Sequence, residues 1–228
     1  MTQYGPTVLA AGLDFIVASV GALADPSAAS ALLAAARGGR ILVPSGAVAG
    51  LDGLLAARTA GLSAVTYTSV KPPAAWRGSP AEALIAAGGG GRIILFDGPA
   101  REAARLYPRN VNVGIAVALA SGLGPDRTRV RLVADPAAAG PLGVIEAAGA
   151  FGALRLEALA LASVSNPKTS ALTAHSILAA ALYGVAVFEP DPPLLMPAAA
   201  GAATALVDSE HSAWAALAAA ASGVPRAE

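Results

Sequence analysis

The chain has 228 residues, of which 55% are hydrophobic, so it can bury a sizeable core without a disulfide or a metal to hold it together. Fifteen acidic and fifteen basic residues cancel, which argues against a nucleic acid or an anionic membrane surface as the partner. The absence of cysteine excludes disulfides, thiolate metal ligands and a thiol nucleophile, and it fits a reducing compartment.

The N-terminal segment MTQYGPTVLAAGLDF has neither a cationic region nor a long apolar core, so it does not resemble a secretory signal. Alanine accounts for most of the hydropathy, and no run of about eighteen strongly apolar residues is free of Pro, Gly or charge. These features predict a soluble, cytoplasmic protein that does not span a membrane.

Short apolar runs alternate with helical segments over the first 70 residues. LDFIVASV, RILVPSG and SAVTYTSV are predicted strands, with helices between them. For the first of these helices, Asp25 is the predicted cap, Pro26 the first residue and Gly38–Gly39 the end. This rhythm favours parallel strands joined by helical crossovers, so the first 70 residues are predicted to belong to a doubly wound sheet.

The pattern changes in the second half of the chain. A capping box at Ser79–Glu82 predicts a short helix, and Gly88–Gly91 predict a turn into the strand RIILF; no Lys-Ser/Thr follows these glycines, which disfavours a phosphate loop. PAREAARLYP is a predicted helix. From residue 127 three strands, RTRVRLVAD, GVIEAAG and GALRLEALAL, follow with little helix between them, which is typical of antiparallel neighbours. A last helix, 169–183, is predicted to cover this sheet or to pack back on the first.

Polar side chains are concentrated at three predicted helix entrances, which are PSGA at 44–47, RNVN at 109–112 and SNPKTS at 165–170. Taken singly, each is explained by helix capping, but together they could converge on one small anionic ligand. The sequence shows no GxGxxG after an opening strand, no HExxH, no serine-hydrolase motif and no carboxylate cluster with metal spacing, so no metal site is predicted. His175 is a lone helical histidine, and such residues are more often structural than catalytic.

In this order, seven segments resemble the L-aspartate dehydrogenase family, over about residues 5 to 187: SVGALAD, ILVPSGAVAGLDGL, TSVKPP, LFDGPAREAARLYPRNVNV, VRLVADP, GAFG and NPKTSALTAHSIL. The resemblance implies an α/β fold, with an incomplete Rossmann-like doubly wound parallel sheet in residues 1–50. An α+β catalytic and dimerisation domain with a mixed sheet is implied for residues 51–187. Residues 188–228 are a Pro- and Ala-rich C-terminal extension with no counterpart in the family pattern.

The same resemblance implies NAD(P)-dependent oxidation of L-aspartate to iminoaspartate by a homodimer, with NAD or NADP as cofactor and a role in NAD biosynthesis. The residues that correspond to cofactor-contacting positions are Ser19, Val20, Ala47 and Asn110. Aspartate carries two carboxylates, and the cations available to bind them are Lys71, Lys168 and Arg109. The hydrogen-bonding side chains that could orient the substrate are Asn166, Thr169 and Ser170.

Two departures from the family pattern bear on activity. The family begins with a strand and a Gly-rich turn that hold the cofactor pyrophosphate, whereas this sequence begins at what resembles a later helix, so we expect it to bind NAD with a Kd no tighter than about 1 mM. After VADP the family has an Asn-x-His segment whose histidine serves the chemistry, and Gly143 occupies the position of that histidine.

Glycine has no side chain that could donate or accept a proton, and the loss of a general acid or base commonly lowers the rate about a hundredfold or more. His175 is the candidate replacement. The alternative to an active enzyme is a catalytically inactive or altered paralogue that acts as a small-molecule-binding or assembly protein.

Overall fold

The computed structural model of the chain describes residues 1–161, 163 and 170–183. In chain order its helices are α1 Gly5–Ala10, α2 Pro26–Ala35, α3 Leu51–Thr59, α4 Ala81–Ala87, α5 Ala100–Leu106, α6 Asn112–Ser121 and α7 Ala171–Tyr183. The strands are β1 Phe15–Ile16, β2 Ile41–Leu42, β3 Leu62–Lys71, β4 Ile93–Pro99, β5 Arg129–Ala134, β6 Leu142–Gly149 and β7 Gly152–Leu159. Short 3₁₀ helices span Val20–Ala24 and Pro73–Trp76.

The strands form two separate sheets. β1 and β2 pair in parallel in a two-stranded sheet. The other five strands form a mixed sheet in the order β4-β5-β3-β6-β7, in which β3 is parallel to β5 and antiparallel to β6. The predicted α/β fold, with one parallel and one mixed sheet, is therefore confirmed.

The predicted parallel run over the first 70 residues is wrong at its third strand. β3 does not extend the sheet of β1 and β2, because it lies at the centre of the mixed sheet between β5 and β6. Its buried residues occur on both faces, with Val65 and Tyr67 on one and Thr66 and Val70 on the other. A strand buried on both faces suits the centre of either kind of sheet, so the residue pattern alone does not choose between them.

The predicted start of α2 is confirmed. The Asp25 carboxylate accepts a hydrogen bond of 2.8 Å from the backbone N–H of Ser27, and Pro26 is the first helical residue. The helix ends at Ala35, however, before the glycine pair at 38–39 that was predicted to close it.

The entrance to α4 is only partly the predicted capping box. Ser79 Oγ accepts a hydrogen bond of 3.3 Å from the backbone N–H of Ala81, whereas the motif would have it accept from the N–H of Glu82. After α4 the chain turns into β4 through Gly88–Gly91, as predicted.

The predicted antiparallel order of the last three strands is only partly confirmed, and the structure decides between the two positions predicted for the last helix. β6 and β7 form the predicted antiparallel pair, but β5 is separated from them by β3. Of the two positions predicted for the last helix, α7 takes the one against the first sheet. Ala180 on α7 packs with Leu42 of β2 and Ile16 of β1.

One continuous hydrophobic cluster joins the two sheets, since it contains Val17 and Ile41 beside the first sheet and Ile145 from the second. α6 lies between them and is buried along most of its length. Gly114 allows this helix to approach the mixed sheet closely, because a Cβ there would lie 2.9 Å from a methyl group of Val130. The shared core fixes the cleft between the two sheets, which is where the candidate site lies.

Candidate active site

A cavity of about 140 Å³ opens where the two sheets meet. Its walls come from segments that are far apart in the sequence: the loops after β1 and β2, the second half of β3, the entrance to α6, the start of β6, the residue after β7 and the entrance to α7. A single water needs roughly 10–15 Å³ by the same measure. The cavity therefore has room for a small metabolite.

Most of the predicted site residues that the structure describes line this cavity. They are Val20, Ala47 and Asn110 from the cofactor set, Lys71 and Ser170 from the substrate set, and Arg109. Ser19 lies next to the wall as the residue preceding the 3₁₀ helix Val20–Ala24, but it is not itself a lining residue. Asn166, Lys168 and Thr169 lie outside the described residues, as does the extension at 188–228.

His175 is exposed on α7 and does not line the cavity, although Thr173 two residues earlier does. Side chains two apart on an α-helix differ by about 200° in direction, so a helix that turns Thr173 to the cavity turns His175 away. The structure therefore does not place His175 where it could replace a missing base.

One face of β3 supplies a row of polar groups, of which only Lys71 was predicted as a site residue. Tyr67, Ser69 and Lys71 alternate along the strand, so their side chains share a face, and all three line the cavity. Gly143 pairs with Ser69 across the β3–β6 ladder and lines the cavity too. A Cβ at Gly143 would lie 3.4 Å from the hydroxyl oxygen of Tyr67. The only sequence signal for this row was the period-two alternation in TYTSVK.

Burial shifts the pKa values of the two titratable residues in this row, Tyr67 and Lys71. It raises the pKa of Tyr67 to about 12, offset in part by the nearby Ser69 hydroxyl, so the phenol stays protonated at neutral pH and can donate a hydrogen bond. Burial also lowers the pKa of Lys71, whose Nζ lies 5.4 Å from the centroid of the Trp76 ring. Ser69 Oγ is buried and has no hydrogen-bond partner among the described residues. These groups are therefore available to a ligand.

The helix entrance predicted at PSGA is wrong, because no helix begins there. Residues 45–47 form a turn, and α3 begins only at Leu51. The backbone N–H of Gly46 is already occupied, because it donates a hydrogen bond of 3.1 Å to Ser176 Oγ on α7. The acceptor comes from a helix 130 residues away, which no local pattern in PSGA could reveal.

Asn112, one of the polar residues at the entrance to α6, has a structural bond. Its Oδ1 accepts a hydrogen bond of 2.8 Å from the backbone N–H of Gly21. This bond ties the 3₁₀ helix Val20–Ala24 to α6 and so holds one wall of the cavity against another. Asn112 and Asn110 both line the cavity, but the structure gives only Asn112 a hydrogen bond of this kind.

We expect Asn112→Ala to lower the free energy of unfolding by about 1–3 kcal/mol, because it leaves the part-buried N–H of Gly21 without an acceptor. Asn110→Ala is the matched control and should change the free energy of unfolding by no more than about 0.5 kcal/mol. Urea unfolding followed by circular dichroism measures both. Equal stability of the two variants would show that the bond to Gly21 contributes nothing.

Neither a membrane-spanning helix nor a cluster of metal ligands is found in the part of the chain that the structure describes. No helix there is long and apolar enough to cross a membrane. Within the same residues, no three His, Cys, Asp or Glu side chains come together in a way that could hold a metal ion. Among the residues that line the cavity, the charged ones are Lys71 and Arg109, and Tyr67 is the other titratable one.

Comparison with known proteins gives one consistent family. A family described as "Aspartate dehydrogenase, C-terminal" matches residues 52–183. L-aspartate dehydrogenase of Pseudomonas aeruginosa is 47% identical over 181 residues, which cover 78% of this chain and 67% of that protein. The L-aspartate dehydrogenase of Cupriavidus necator is 48% identical over 172 residues, covering 74% and 64%. The match thus spans about two thirds of the length of these relatives.

A solved structure supports the same relationship. The crystal structure of aspartate dehydrogenase from Thermotoga maritima superimposes with a TM-score of 0.65 at 26% sequence identity. The superposition covers 82% of this chain and 73% of that one, which is more of this chain than the segment at 52–183.

Proposed function

Because the chain belongs to the aspartate dehydrogenase family, we propose that it binds L-aspartate in the cavity and oxidises it to iminoaspartate with NAD or NADP. One observation carries the proposal. The residues predicted for cofactor and for substrate come from distant segments, and those that the structure describes converge on a single cavity. Residues 1–50 would form the cofactor side of this site and residues 51–187 the catalytic side.

The cations of the cavity suit a dicarboxylic amino acid. Lys71 and Arg109 both line it, and each can neutralise one carboxylate of aspartate. Ser170 at the entrance to α7 and the unpartnered hydroxyl of Ser69 are further hydrogen-bond donors. We include Asn166, Lys168 and Thr169 in the substrate site because they directly precede Ser170 in the chain.

The opposite wall suits the nicotinamide end of the cofactor. Ala18, Val20 and Ala47 are apolar and would leave room for a flat ring, and Asn110 would offer its side-chain amide to the ring's carboxamide. Ser19 adjoins this wall. When bound, the nicotinamide accepts the hydride that leaves C2 of aspartate. The protein contributes by holding C2 and the ring in near-attack geometry, which excludes unproductive orientations.

The proton of the substrate amine must go to a protein group or to water. The side chain that the family pattern supplies for this task is absent, since Gly143 occupies the histidine position and lines the cavity. Tyr67 is a poor acceptor because its phenol is already protonated at neutral pH. Turnover by this chain is therefore expected to be slow.

The glycine at position 143 also favours a second candidate function, in which the chain binds the substrate class but does not turn it over. Such a paralogue would act as a small-molecule-binding or assembly protein. Binding and turnover measured on the same sample separate the two functions.

We expect L-aspartate to bind in calorimetry and to reduce NAD or NADP at millimolar cofactor, with D-aspartate inactive and L-alanine weaker because it lacks the second carboxylate. Arg109→Ala should weaken binding of L-aspartate about tenfold or more, since a hydrogen bond to a charged group contributes roughly 1.5–3 kcal/mol. Binding without reduction supports the paralogue. The absence of both binding and reduction contradicts the proposal.

We further propose that the protein is a cytoplasmic homodimer with a role in NAD biosynthesis. One observation supports the homodimer, namely that large apolar side chains on β7, after it and on α7 are exposed. These residues are Leu159, Leu161, Leu178 and Leu182. A second copy that packed on them would remove apolar surface from water.

A further inference from the structure

Lys71 is an unusual amine for this chain. Lys71 and Lys168 are the only lysines in the sequence, and Lys71 is half-buried where β3 reaches the cavity. Within the described residues, no carboxylate lies within 4.0 Å of its Nζ, and the buried Trp76 ring forms one side of its surroundings. An ammonium group that is removed from water without a counter-ion is disfavoured, and burial accordingly lowers the pKa of Lys71.

The neutral form of a lysine amine is the nucleophile that forms imines with carbonyl compounds, and a lowered pKa increases the fraction of Lys71 in that form, while its charged form pairs with a carboxylate. The groups that would assist such a reaction lie on the same face of β3. Tyr67 keeps its proton at neutral pH, and Ser69 Oγ has no hydrogen-bond partner among the described residues. Successive residues on one face of a strand are about 7 Å apart, which a lysine side chain can span. Ser69 is one such step from Lys71, and the Tyr67 hydroxyl lies at the level of Ser69, because it is 3.4 Å from the Cβ position of Gly143, which pairs with Ser69. Both hydroxyls can therefore donate to a carbonyl oxygen placed between them and the amine.

Gly143 leaves the space in front of this row open. It pairs with Ser69, and a Cβ at Gly143 would already lie 3.4 Å from the Tyr67 hydroxyl oxygen and 3.0 Å from a methyl group of Val48. A larger side chain would fill the volume next to the hydroxyls. With glycine there, a small carbonyl compound has room to approach Tyr67, Ser69 and Lys71 together.

We propose that Lys71 forms a reversible imine with the carbonyl carbon of a 2-oxo acid bound in this cavity. Arg109 lines the same cavity and supplies a cation for the carboxylate of the acid. The inference rests on the proposed function for its ligand class alone, because hydrolysis of iminoaspartate yields a dicarboxylic 2-oxo acid.

The reaction is balanced without an oxidant or a reductant. The lone pair of Nζ adds to the carbonyl carbon, and the oxygen takes up one proton lost by the nitrogen, which gives a carbinolamine. The hydroxyl of the carbinolamine then leaves with the second proton of the nitrogen as water, and a C=N double bond remains. The Tyr67 and Ser69 hydroxyls stabilise the oxygen in both steps through hydrogen bonds.

The test is reductive trapping. The 228-residue chain is incubated with fresh oxaloacetate and sodium cyanoborohydride, which reduces an imine to a stable secondary amine, and the product is mapped by mass spectrometry after chymotryptic digestion. Pyruvate serves as the acid with one carboxylate. The expected product carries one adduct per chain, on Lys71, and excess L-aspartate lowers its yield.

The presence of only two lysines makes the controls direct. Lys168→Arg should retain the adduct and Lys71→Arg should lose it, whereas the urea-unfolded chain should distribute it over both lysines and the N-terminal amine. Mapping the adduct on the unsubstituted chain gives a result that does not depend on whether either variant folds. An adduct confined to Lys168 or the N-terminus, or the same distribution in folded and unfolded chains, overturns the inference.

Calorimetry with L-aspartate on the same sample separates this inference from the proposed function. Aspartate binding without an adduct on Lys71 refutes the imine and leaves the proposed function standing. An adduct on Lys71 without aspartate binding supports the imine and contradicts the proposed function.

Discussion

Gly143→His is expected to raise the rate of aspartate oxidation about 100-fold or more, because a positioned general acid or base is typically worth roughly 10²–10⁴ in rate. The resemblance to the family places its histidine at this position. Gly143 lies on β6 opposite Ser69 and lines the cavity, so an imidazole there would enter the space between the proposed substrate and the Tyr67 hydroxyl. The measurement is the turnover number with L-aspartate at saturating cofactor.

The expected gain depends on room for the ring. A Cβ at position 143 would lie 3.0 Å from a methyl group of Val48, which is tight enough that Val48 must shift. Val48→Ala combined with Gly143→His relieves this contact and should show the larger gain. Gly143→Ala is the matched control, because it adds the Cβ without the imidazole. Equal turnover in Gly143→His, with or without Val48→Ala, and in Gly143→Ala would contradict the assignment of this position to proton transfer.

Gly149→Ala is expected to lower the free energy of unfolding by about 3 kcal/mol or more, because the added methyl group overpacks backbone that cannot rotate away. Gly149 ends β6, and a Cβ there would lie 2.3 Å from the carbonyl oxygen of Gly61 and 2.8 Å from the Cα of Leu62. The same carbonyl oxygen accepts a hydrogen bond from the backbone N–H of Ala150. The substitution therefore forces β3 and β6 apart where they begin to pair.

Gly91→Ala is the control for this second prediction. A Cβ at Gly91 meets no atom within 4 Å, and the residue does not have a positive φ, so the substitution should be neutral or stabilising by up to about 1 kcal/mol through the unfolded state. Urea titration of both variants gives the change in midpoint at constant slope. If the Gly149→Ala protein were as stable as the Gly91→Ala protein, the end of the β3–β6 ladder would have relaxed without a cost in stability.

Local sequence signals predicted the parts of the fold that depend on neighbouring residues. Asp25 followed by proline determines where α2 begins, and the glycines at 88–91 make the turn into β4. The alternation in GALRLEAL similarly reflects the hairpin of β6 and β7. In each case the hydrogen-bond partner or the strand partner lies a few residues away, so the information is present in the local pattern.

Partners that are distant in the sequence were not predictable in this way. The parallel run of three strands failed because β3 pairs with β5 and β6, which lie far along the chain. The segment PSGA was expected to enter a helix directly, but the backbone N–H of Gly46 donates instead to a side chain of the distant α7. The only local signal for Ser69 was the alternation in TYTSVK, which does not reveal that the residue lies on a buried strand face opposite Gly143.

By itself, the sequence determined the alternation of helices and strands, the rarity of lysine, the family resemblance and the glycine at position 143, since all of these are properties of residue identity and spacing. Only the tertiary structure decided that Val20, Lys71 and Asn110 border one cavity and that His175 faces away from it. The physical reason is that convergence depends on sheet order and helix packing, which bury apolar surface between segments far apart in the chain. Ser170, directly before α7, and Thr173 on that helix thus line the same cavity as Lys71.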